Sequence, residues 1–514
     1  MATLKIRKVT SLPVTLEPSC MYLINADYPG KLKIAVTTSD GLLAKHIEKF
    51  DISNLTKSGI NGFSLLLNGN IYTTSGKGGY KNSTTGLHYK DKESIRGINS
   101  LQPIPEIWSG EIIKKGNDYY TYNYILTDTN ELWTWGYNQY GQCGVGHDNQ
   151  IDRPVLVAND VLEVYDHVSN SSYNVSQNRL FIKRTDGYIY GCGYDNGSLG
   201  LGNNNPVAIT NFTQISALGS NTVSKLFNLG STYGCVVVLT TDGRILVAGK
   251  NDRGQLGAGT TTNINTFTDV TSNWTGVLNG ILDIKVSGGF GYLSNSYSSL
   301  IMMITMPDGS VTVKTCGSNT NGQLGNGTTT DSNIPVTPIG LPINIKDIAC
   351  VSSITMQLLT NNGDLWTWGY NGQGQLGNGS TTDSNVPILV RSGVNKLLSD
   401  GWTTHYKGNL TPIFIEDLDN SIHGVGYNNS CALGLGIDGY YVTNYNKVLI
   451  PDSEIIKELG YYVTSGNEFI MTACSENGNL YTWGDDKRNG IYNNSRKKKV
   501  KSPVIINFYN IFRE

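Results

Sequence analysis

The sequence predicts an all-β protein: a closed β-propeller of seven or eight four-stranded blades behind a small β-rich N-terminal module. Three observations carry this. A glycine-marked unit returns every 52 to 68 residues, most units hold an Asx-Gly turn between two extended runs, and no helical apolar period follows any of the glycines.

Composition sets the limits first. The 514 residues include 60 Gly and 30 Tyr with only 16% charged residues, against roughly 7% Gly and about 25% charged in average soluble chains. A formal charge of −2 supplies no long-range field toward nucleic acid or an anionic membrane. The 39% hydrophobic content is too high for a disordered chain, and there is no Gly-X-Y period. No window approaches 18 apolar residues, so no membrane-spanning helix is expected. The N-terminus alternates charged and apolar residues without the apolar core of a secretory signal, which leads us to expect folding in a cytosol. Eight widely spaced cysteines without a C-x-x-C pair signal neither zinc nor a redox motif. Several stand where other repeat copies have an apolar residue, so buried thiols are expected.

Residues 1–50 hold few glycines and read as short strands: Leu4-Lys5-Ile6, Met21-Tyr22-Leu23-Ile24 and Leu32-Lys33-Ile34-Ala35-Val36, the last two joined by a reversal at Pro29-Gly30. So small a module cannot bury a core alone. From residue 51 onward the repeat takes over. Leu132-Trp133-Thr134-Trp135-Gly136-Tyr137-Asn138 returns residue for residue as Leu365-Trp366-Thr367-Trp368-Gly369-Tyr370-Asn371, and more weakly as Leu480-Tyr481-Thr482-Trp483-Gly484. With the glycine as marker, units fall at Gly76, Gly136, Gly193, Gly249, Gly317, Gly369, Gly426 and Gly484, spaced by 60, 57, 56, 68, 52, 57 and 58 residues.

Each part of a unit has its own physical reason. Six residues before the marker stands the second residue of a tight turn, as in Asp186-Gly187, Asp242-Gly243 and Asn362-Gly363. Between extended runs such a pair predicts a hairpin with a type I′ turn. After the marker comes Gly254-Gln255-Leu256-Gly257, Gly322-Gln323-Leu324-Gly325 or Gly374-Gln375-Leu376-Gly377, where glycines permit sharp bends and one Leu pins the loop to the core. About ten residues later a Pro is expected to open another strand, as at Pro154, Pro335 and Pro387. Four strands per unit describe a propeller blade. The C-terminal run 503–508, led by Pro503, has no hairpin after it and is expected to close the ring by completing the blade begun by the first hairpin.

The hairpin ending in Trp-Gly and followed by Asn-x-x-Gly-Gln-Leu-Gly-x-Gly resembles the repeat of the regulator of chromosome condensation family over roughly residues 51–514. The match is close at Gly249, Gly317 and Gly369 and weak at Gly76 and Gly484, where Asp485-Asp486-Lys487-Arg488-Asn489-Gly490 departs from it. The stretch from Val9 to Pro18 followed by Met21-Tyr22-Leu23 resembles the N-terminal attachment segment of bacteriophage tail and head appendage proteins. That resemblance implies a non-enzymatic virion protein. Residues 1–50 would hold it to other virion proteins, the propeller would face neighbours or a bacterial surface receptor, and copies would form a homo-oligomer. The repeat family implies the alternatives: a guanine-nucleotide exchange factor-like protein or a secreted protein-binding, inhibitory propeller.

No catalytic motif, metal-ligand spacing or cofactor loop is found: H-E-x-x-H, G-x-x-x-x-G-K-[ST] and G-x-S-x-G are all absent, and no cofactor is expected. Glu416-Asp417-Leu418-Asp419-Asn420 sits where a hairpin tip belongs, which explains it better than calcium binding. The basic run from Arg496 to Lys501 reads as a solvated loop. Tyr137, Tyr194, Tyr370 and Tyr427, all one residue past a marker, read as packing between blades. The longest interval holds an insertion that a blade does not require, and Phe290, Tyr292, Asn295 and Tyr297 within it are the candidate recognition residues.

Overall fold

The extended runs that flank each turn pair as hairpins, and each hairpin gains one inner and one outer strand, so seven four-stranded antiparallel sheets follow one another along the chain. The computed structural model describes residues 122–165, 179–203, 207–230, 234–289, 298–351, 354–400, 411–463, 469–477, 479–485 and 499–505, and strands at 5–9, 20–25, 32–37, 43–47, 64–67, 70–73 and 113–118.

The N-terminal sheet consists of β1 (Lys5–Val9), β2 (Cys20–Asn25), β3 (Leu32–Thr37) and β4 (Leu43–Ile47). β1 pairs in parallel with β2, and the rest is an antiparallel meander. The fourth strand, Leu-Ala-Lys-His-Ile, was not expected. A two-stranded hairpin follows, β5 (Ser64–Leu67) with β6 (Asn70–Thr73). Gly76 follows this hairpin, which among the described residues joins no four-stranded sheet, so eight markers go with seven four-stranded blades.

Blade 1 is β7 (Ile113–Asp118), β8 (Tyr122–Thr127), β9 (Leu132–Gly136) and β10 (Ile151–Ala158). Blade 2 is β11 (Val161–Tyr165), β12 (Arg179–Arg184), β13 (Ile189–Asp195) and β14 (Val207–Gln214). Blade 3 is β15 (Val223–Leu229), β16 (Cys235–Thr240), β17 (Ile245–Gly249) and β18 (Ile264–Asp269). A five-residue helix, α1 (Thr271–Thr275), leads to blade 4: β19 (Asp283–Gly289), β20 (Ser299–Thr305), β21 (Val311–Gly317) and β22 (Ser332–Val336). Blade 5 is β23 (Ile345–Val351), β24 (Thr355–Thr360), β25 (Leu365–Gly369) and β26 (Ser384–Arg391). Blade 6 is β27 (Val394–Leu397), β28 (Pro412–Asp417), β29 (Ile422–Tyr427) and β30 (Tyr441–Lys447). Blade 7 is β31 (Ile456–Val463), β32 (Phe469–Ser475), β33 (Leu480–Asp485) and β34 (Lys499–Ile505). Inner strands of successive blades touch, as β15 touches β19 and β19 touches β23.

Three expectations change. The hairpins do not use type I′ turns. Gly243 N donates to Thr240 O, Thr240 N to Arg244 O, and only the glycine position has positive φ, as at Gly187, Gly243, Gly309 and Gly363. This is a type I turn with a bulging left-handed residue, in which Asx accepts a backbone N–H, as Asp186 does from Tyr188. The prolines do not open the outer strands. Pro154, Pro335, Pro387 and Pro503 lie inside β10, β22, β26 and β34, each within a bulge opposite the residue before the marker. A bulge on an edge strand leaves the missing N–H without consequence. Finally, residues 503–505 of the C-terminal run belong to β34, which pairs with β33 of its own blade, while residues 506–508 lie outside the described residues. Lys499 and Lys501 are therefore strand residues, not loop residues.

The loop that corresponds to Gly-Gln-Leu-Gly-x-Gly locks each of blades 1 to 6 onto the next. Its third glycine N–H donates across the boundary to the outer-strand bulge of the following blade: Gly146 to Thr210 O, Gly202 to Asn265 O, Gly259 to Asn333 O, Gly327 to Asn385 O, Gly379 to Thr443 O and Gly436 to Lys501 O, all at 2.8–2.9 Å. A buried Asn two residues past the marker staples the loop internally. Asn251 Oδ1 accepts from Leu256 N, and its Nδ2 donates to Thr260 O and Thr262 O. Blade 2 has Asp195 there, which cannot donate, and Asn203 Nδ2 donates to it instead.

At every lock, one aromatic ring covers the glycine that follows the Leu position. A Cβ on Gly144, Gly200, Gly257, Gly325, Gly377 or Gly434 would lie 2.4–2.9 Å from a ring atom of Phe212, Phe267, Trp274, Trp368, Tyr445 or Trp483 respectively. Two sequence positions share this volume. Trp368 and Trp483, each just before a marker, accompany Pro387 and Pro503 in the bulge; where the first position is small, as in Cys192, Ala248 and Val425, the bulge supplies Phe212, Phe267 or Tyr445. Blade 4 has Cys316 and Pro335, both small, and Trp274 of α1 fills the gap. The repeat thus conserves packed volume by different residues.

Candidate functional site

The inner strands carry the chemistry. In each blade, the inner-strand residue that pairs just before the hairpin turn is ionisable: Lys115, Glu163, Lys225, Asp283, Asp347, Lys396 and Glu458, paired with Leu126, Lys183, Leu239, Thr305, Leu359, Glu416 and Cys474. Their charges alternate in sign around the propeller, except that Asp283 and Asp347 are consecutive. Lys225 Nζ lies 2.6 Å from Asp283 Oδ1. At the break, Lys285 from one rung deeper inserts its ammonium, 2.5 Å from Asp347 Oδ1 and 3.3 Å from Asp400 Oδ2. Burial pulls the Lys285 ammonium down, but the Asp400 and Asp347 carboxylates outweigh it and hold its pKa above the ordinary value.

Asp400 follows the inner strand of blade 6 yet bonds to blade 4. Ser287 Oγ donates to its Oδ1 at 2.5 Å, and Cys350 N in blade 5 donates to Ser287 Oγ at 2.8 Å. Alongside, Lys346 Nζ donates to Asn395 O at 2.6 Å and Asn395 Nδ2 to Glu416 Oε1 at 2.7 Å. The network stitches blades 4, 5 and 6 together near the axis. Every carboxylate in it has a cationic or hydrogen-bonding partner.

A second cluster joins blades 5 and 6 at their rim. The Arg391 guanidinium forks onto both Asp417 oxygens, with Nε 3.1 Å from Oδ1. His423 Nε2 lies 3.1 Å from Asp417 Oδ2 and 3.0 Å from Ser421 Oγ. A Ser-His-Asp relay needs the hydroxyl and the carboxylate on opposite ring nitrogens. Here both meet Nε2, so the cluster is a clamp and not a nucleophile relay. Burial lowers the His423 pKa from the ordinary 6.5, Arg391 adds to the lowering, and Asp417 opposes it. A depressed folded-state pKa means that the unfolded chain takes the proton first. His423 therefore contributes stability above the unfolded pKa that is lost as pH falls through the folded value. Urea midpoints measured between about pH 7 and pH 5 should fall toward acid, and His423→Gln should flatten that part of the profile.

The candidate recognition residues Phe290, Tyr292, Asn295 and Tyr297 lie outside the described residues, in the connection from β19 to β20. Part of the long interval that drew attention to them is α1, which packs the core through Trp274. Two of the four marker tyrosines pack across blade boundaries as expected: Tyr194 against Tyr140, and Tyr427 against Phe469. The acidic run is a hairpin tip, with Asn420 N donating to Asp417 O. Among the described residues, Cys143, Cys192, Cys235, Cys316, Cys350 and Cys431 are buried and form no disulfide. Cys192 and Cys316 occupy the Trp position and donate S–H to Gln142 O and Gln255 O. The inner-strand charges went unnoticed because the marker alignment is anchored on the hairpin; alignment on the first strand shows them.

Comparison with known proteins agrees with this architecture. Residues 129–166, 312–358 and 362–400 match the model of the regulator of chromosome condensation (RCC1) repeat. The chain is 23% identical over 359 residues to the probable E3 ubiquitin-protein ligase HERC4 of Mus musculus, covering 68% of this chain and 31% of that one. It is 31% identical over 207 residues to the ultraviolet-B receptor UVR8 of Arabidopsis thaliana, covering 38% of this chain and 42% of the other. It thus spans less than half the length of these relatives. Among solved structures, human WBSCR16 is similar with 16% identity and a TM-score of 0.48 over 73% of this chain and 94% of that one. Prp20p of Saccharomyces cerevisiae, described with its binding to Gsp1p and histones, is similar with 14% identity and a TM-score of 0.46 over 71% and 86%. The chain is a β-propeller that contains repeats of the regulator of chromosome condensation type.

Proposed function

We propose that the propeller is a non-catalytic protein-binding module that seats its partner on the face formed by the blade-to-blade crossovers and hairpin tips. One observation carries this reading. Leu278, Leu282, Ile343 and Leu418, exposed by 77%, 62%, 95% and 67%, all belong to crossovers or tips of blades 3 to 6, and the antiparallel meander brings these segments to one face. Large apolar side chains gathered on one face mark protein contact sites. The Lys225–Asp283 pair and the Lys285, Asp347 and Asp400 network lie toward the same face and supply polar register there. The relatives favour this alternative over a virion role. Attachment to a phage particle through residues 1–50 draws no support from them.

In-cell cross-linking with mass spectrometry tests the reading. Cross-links to one partner should cluster on this face, and the triple variant Leu278→Glu, Leu282→Glu, Ile343→Glu should weaken that partner's Kd by about a hundredfold or more without moving the unfolding midpoint. Unchanged affinity would overturn the assignment. Accelerated release of a fluorescent guanine nucleotide from a small GTPase would favour the exchange-factor reading instead.

A further inference from the structure

We infer that the partner seated on the crossover face is a basic protein segment, whose apolar side chains meet the exposed leucines and isoleucine while its lysines and arginines meet the acidic tips of the hairpins. This rests on the binding face proposed above and adds the chemistry of its occupant. The near-neutral chain conceals a separation of charge. Residues 122–485 hold 16 Lys and Arg against 29 Asp and Glu, and the rest of the chain holds 23 against 12. Part of that acidity stands at the turns between the second and third strands. The tips of blades 1, 2, 3, 4, 6 and 7 carry Asp128, Asp186, Asp242, Asp308, Asp419 and Glu476, and all six residues are exposed.

Backbone hydrogen bonds put these tips beside the crossovers. Asn130 O, Gly187 O, Gly243 O and Gly363 O of four tips accept from Val161 N, Asn221 N, Ile281 N and Val394 N, each in the segment that leads from the same blade to the next, at 2.9–3.1 Å. The crossovers 270–282 and 337–344, which hold Leu278, Leu282 and Ile343, contain no charged residue. The tips therefore supply the charge beside them. Asp242 shares its charge with Arg244, 2.8 Å away. Asp308 and Asp419 are held by their own turns: each Oδ1 accepts from the hydroxyl and the backbone N–H two residues on, those of Ser310 and Ser421, at 2.5–2.9 Å. The Ser310 and Ser421 hydroxyls, then their N–H groups, hold both carboxyls below the ordinary pKa, so both are ionised. The turn itself asks for no charge, since Asn362 and Asn477 serve at the tips of blades 5 and 7. An apolar face bordered by carboxylates repels phosphate backbones and anionic headgroups and is complementary to basic protein surface.

Panning a phage-displayed library of random peptides against the full chain tests this. Selected peptides that lose binding to the variant Leu278→Ser, Leu282→Ser, Ile343→Ser are directed to the face, because serine removes apolar area there without altering charge. These peptides should be enriched in Lys and Arg beside Leu, Ile, Phe or Met. Their Kd for the variant Asp242→Asn, Asp308→Asn, Asp419→Asn should be weaker by about tenfold at low ionic strength. Asparagine keeps the acceptor oxygen of the turn, so the urea midpoint of that variant should not move. Face-directed peptides without a basic excess, or with an unchanged Kd for the asparagine variant, would overturn the inference and leave the binding face standing. If no selected peptide senses the serine variant, the binding face itself falls, and the inference with it.

Discussion

Trp368→Ala is expected to destabilise the propeller by about 3–5 kcal/mol, the usual range for deleting a fully buried large aromatic. The ring is fully buried at the boundary of blades 4 and 5, covers Gly325, and donates its N–H to Gln323 O at 3.0 Å. Its loss creates a cavity and leaves that carbonyl unpaired at once. Trp368→Phe separates the two effects. It keeps most of the ring and loses the hydrogen bond, so it should cost about 1–3 kcal/mol. Urea denaturation followed by circular dichroism reads both. A Trp368→Ala midpoint within error of the unaltered protein would show that blades 4 and 5 are held by something other than the lock.

The second large effect is expected at Gly254, the first glycine of the blade 3 lock. Its φ is 72°, and a Cβ would lie 2.3 Å from the backbone Cα of Asn333 in blade 4. Gly254→Ala therefore combines a left-handed conformation, costing about 1–2 kcal/mol, with a collision that only backbone movement relieves, costing about 1–3 kcal/mol more. Gly259 is the control. It has φ 77°, and a Cβ there would meet nothing within 4 Å, so Gly259→Ala should cost the conformational part alone. Equal midpoints for the two variants would mean that the close approach of the loop to the next blade does not constrain stability.

These predictions bear on function because a propeller presents its binding face only while its blades stay in register. The apolar residues of the crossover face come from blades 3 to 6, which are joined by locks, and blades 4 to 6 are joined also by the Lys285, Asp347 and Asp400 network. Rigid support under a recognition surface lowers the ordering cost of binding.

By itself the sequence determined the class, the unit and its period, because each depends on local chemistry: Asx-Gly turns, β-branched runs and glycines at fixed offsets. It also placed a hairpin tip within Glu416 to Asn420 and predicted buried thiols among the cysteines. The type I turn with a bulge was not legible, since an Asx-Gly pair serves either hairpin geometry and only the backbone angles distinguish them. Two features needed strand pairing: the position of Pro154 within a bulge and the place of β34 in its own blade. The blade count needed it too, because the Gly76 unit reads as two extended runs around Asn68-Gly69 and only pairing shows that, among the described residues, its two strands join each other alone. The compensation between Trp368 with Pro387 and Cys192 with Phe212 joins positions far apart in the chain that share one volume. The ion pairs among Lys225, Asp283, Lys285, Asp347 and Asp400 likewise form only when segments of four blades are brought together. Turns and strand propensity act over a few residues and can be read in order, whereas shared volume and charge pairing are properties of neighbours in space.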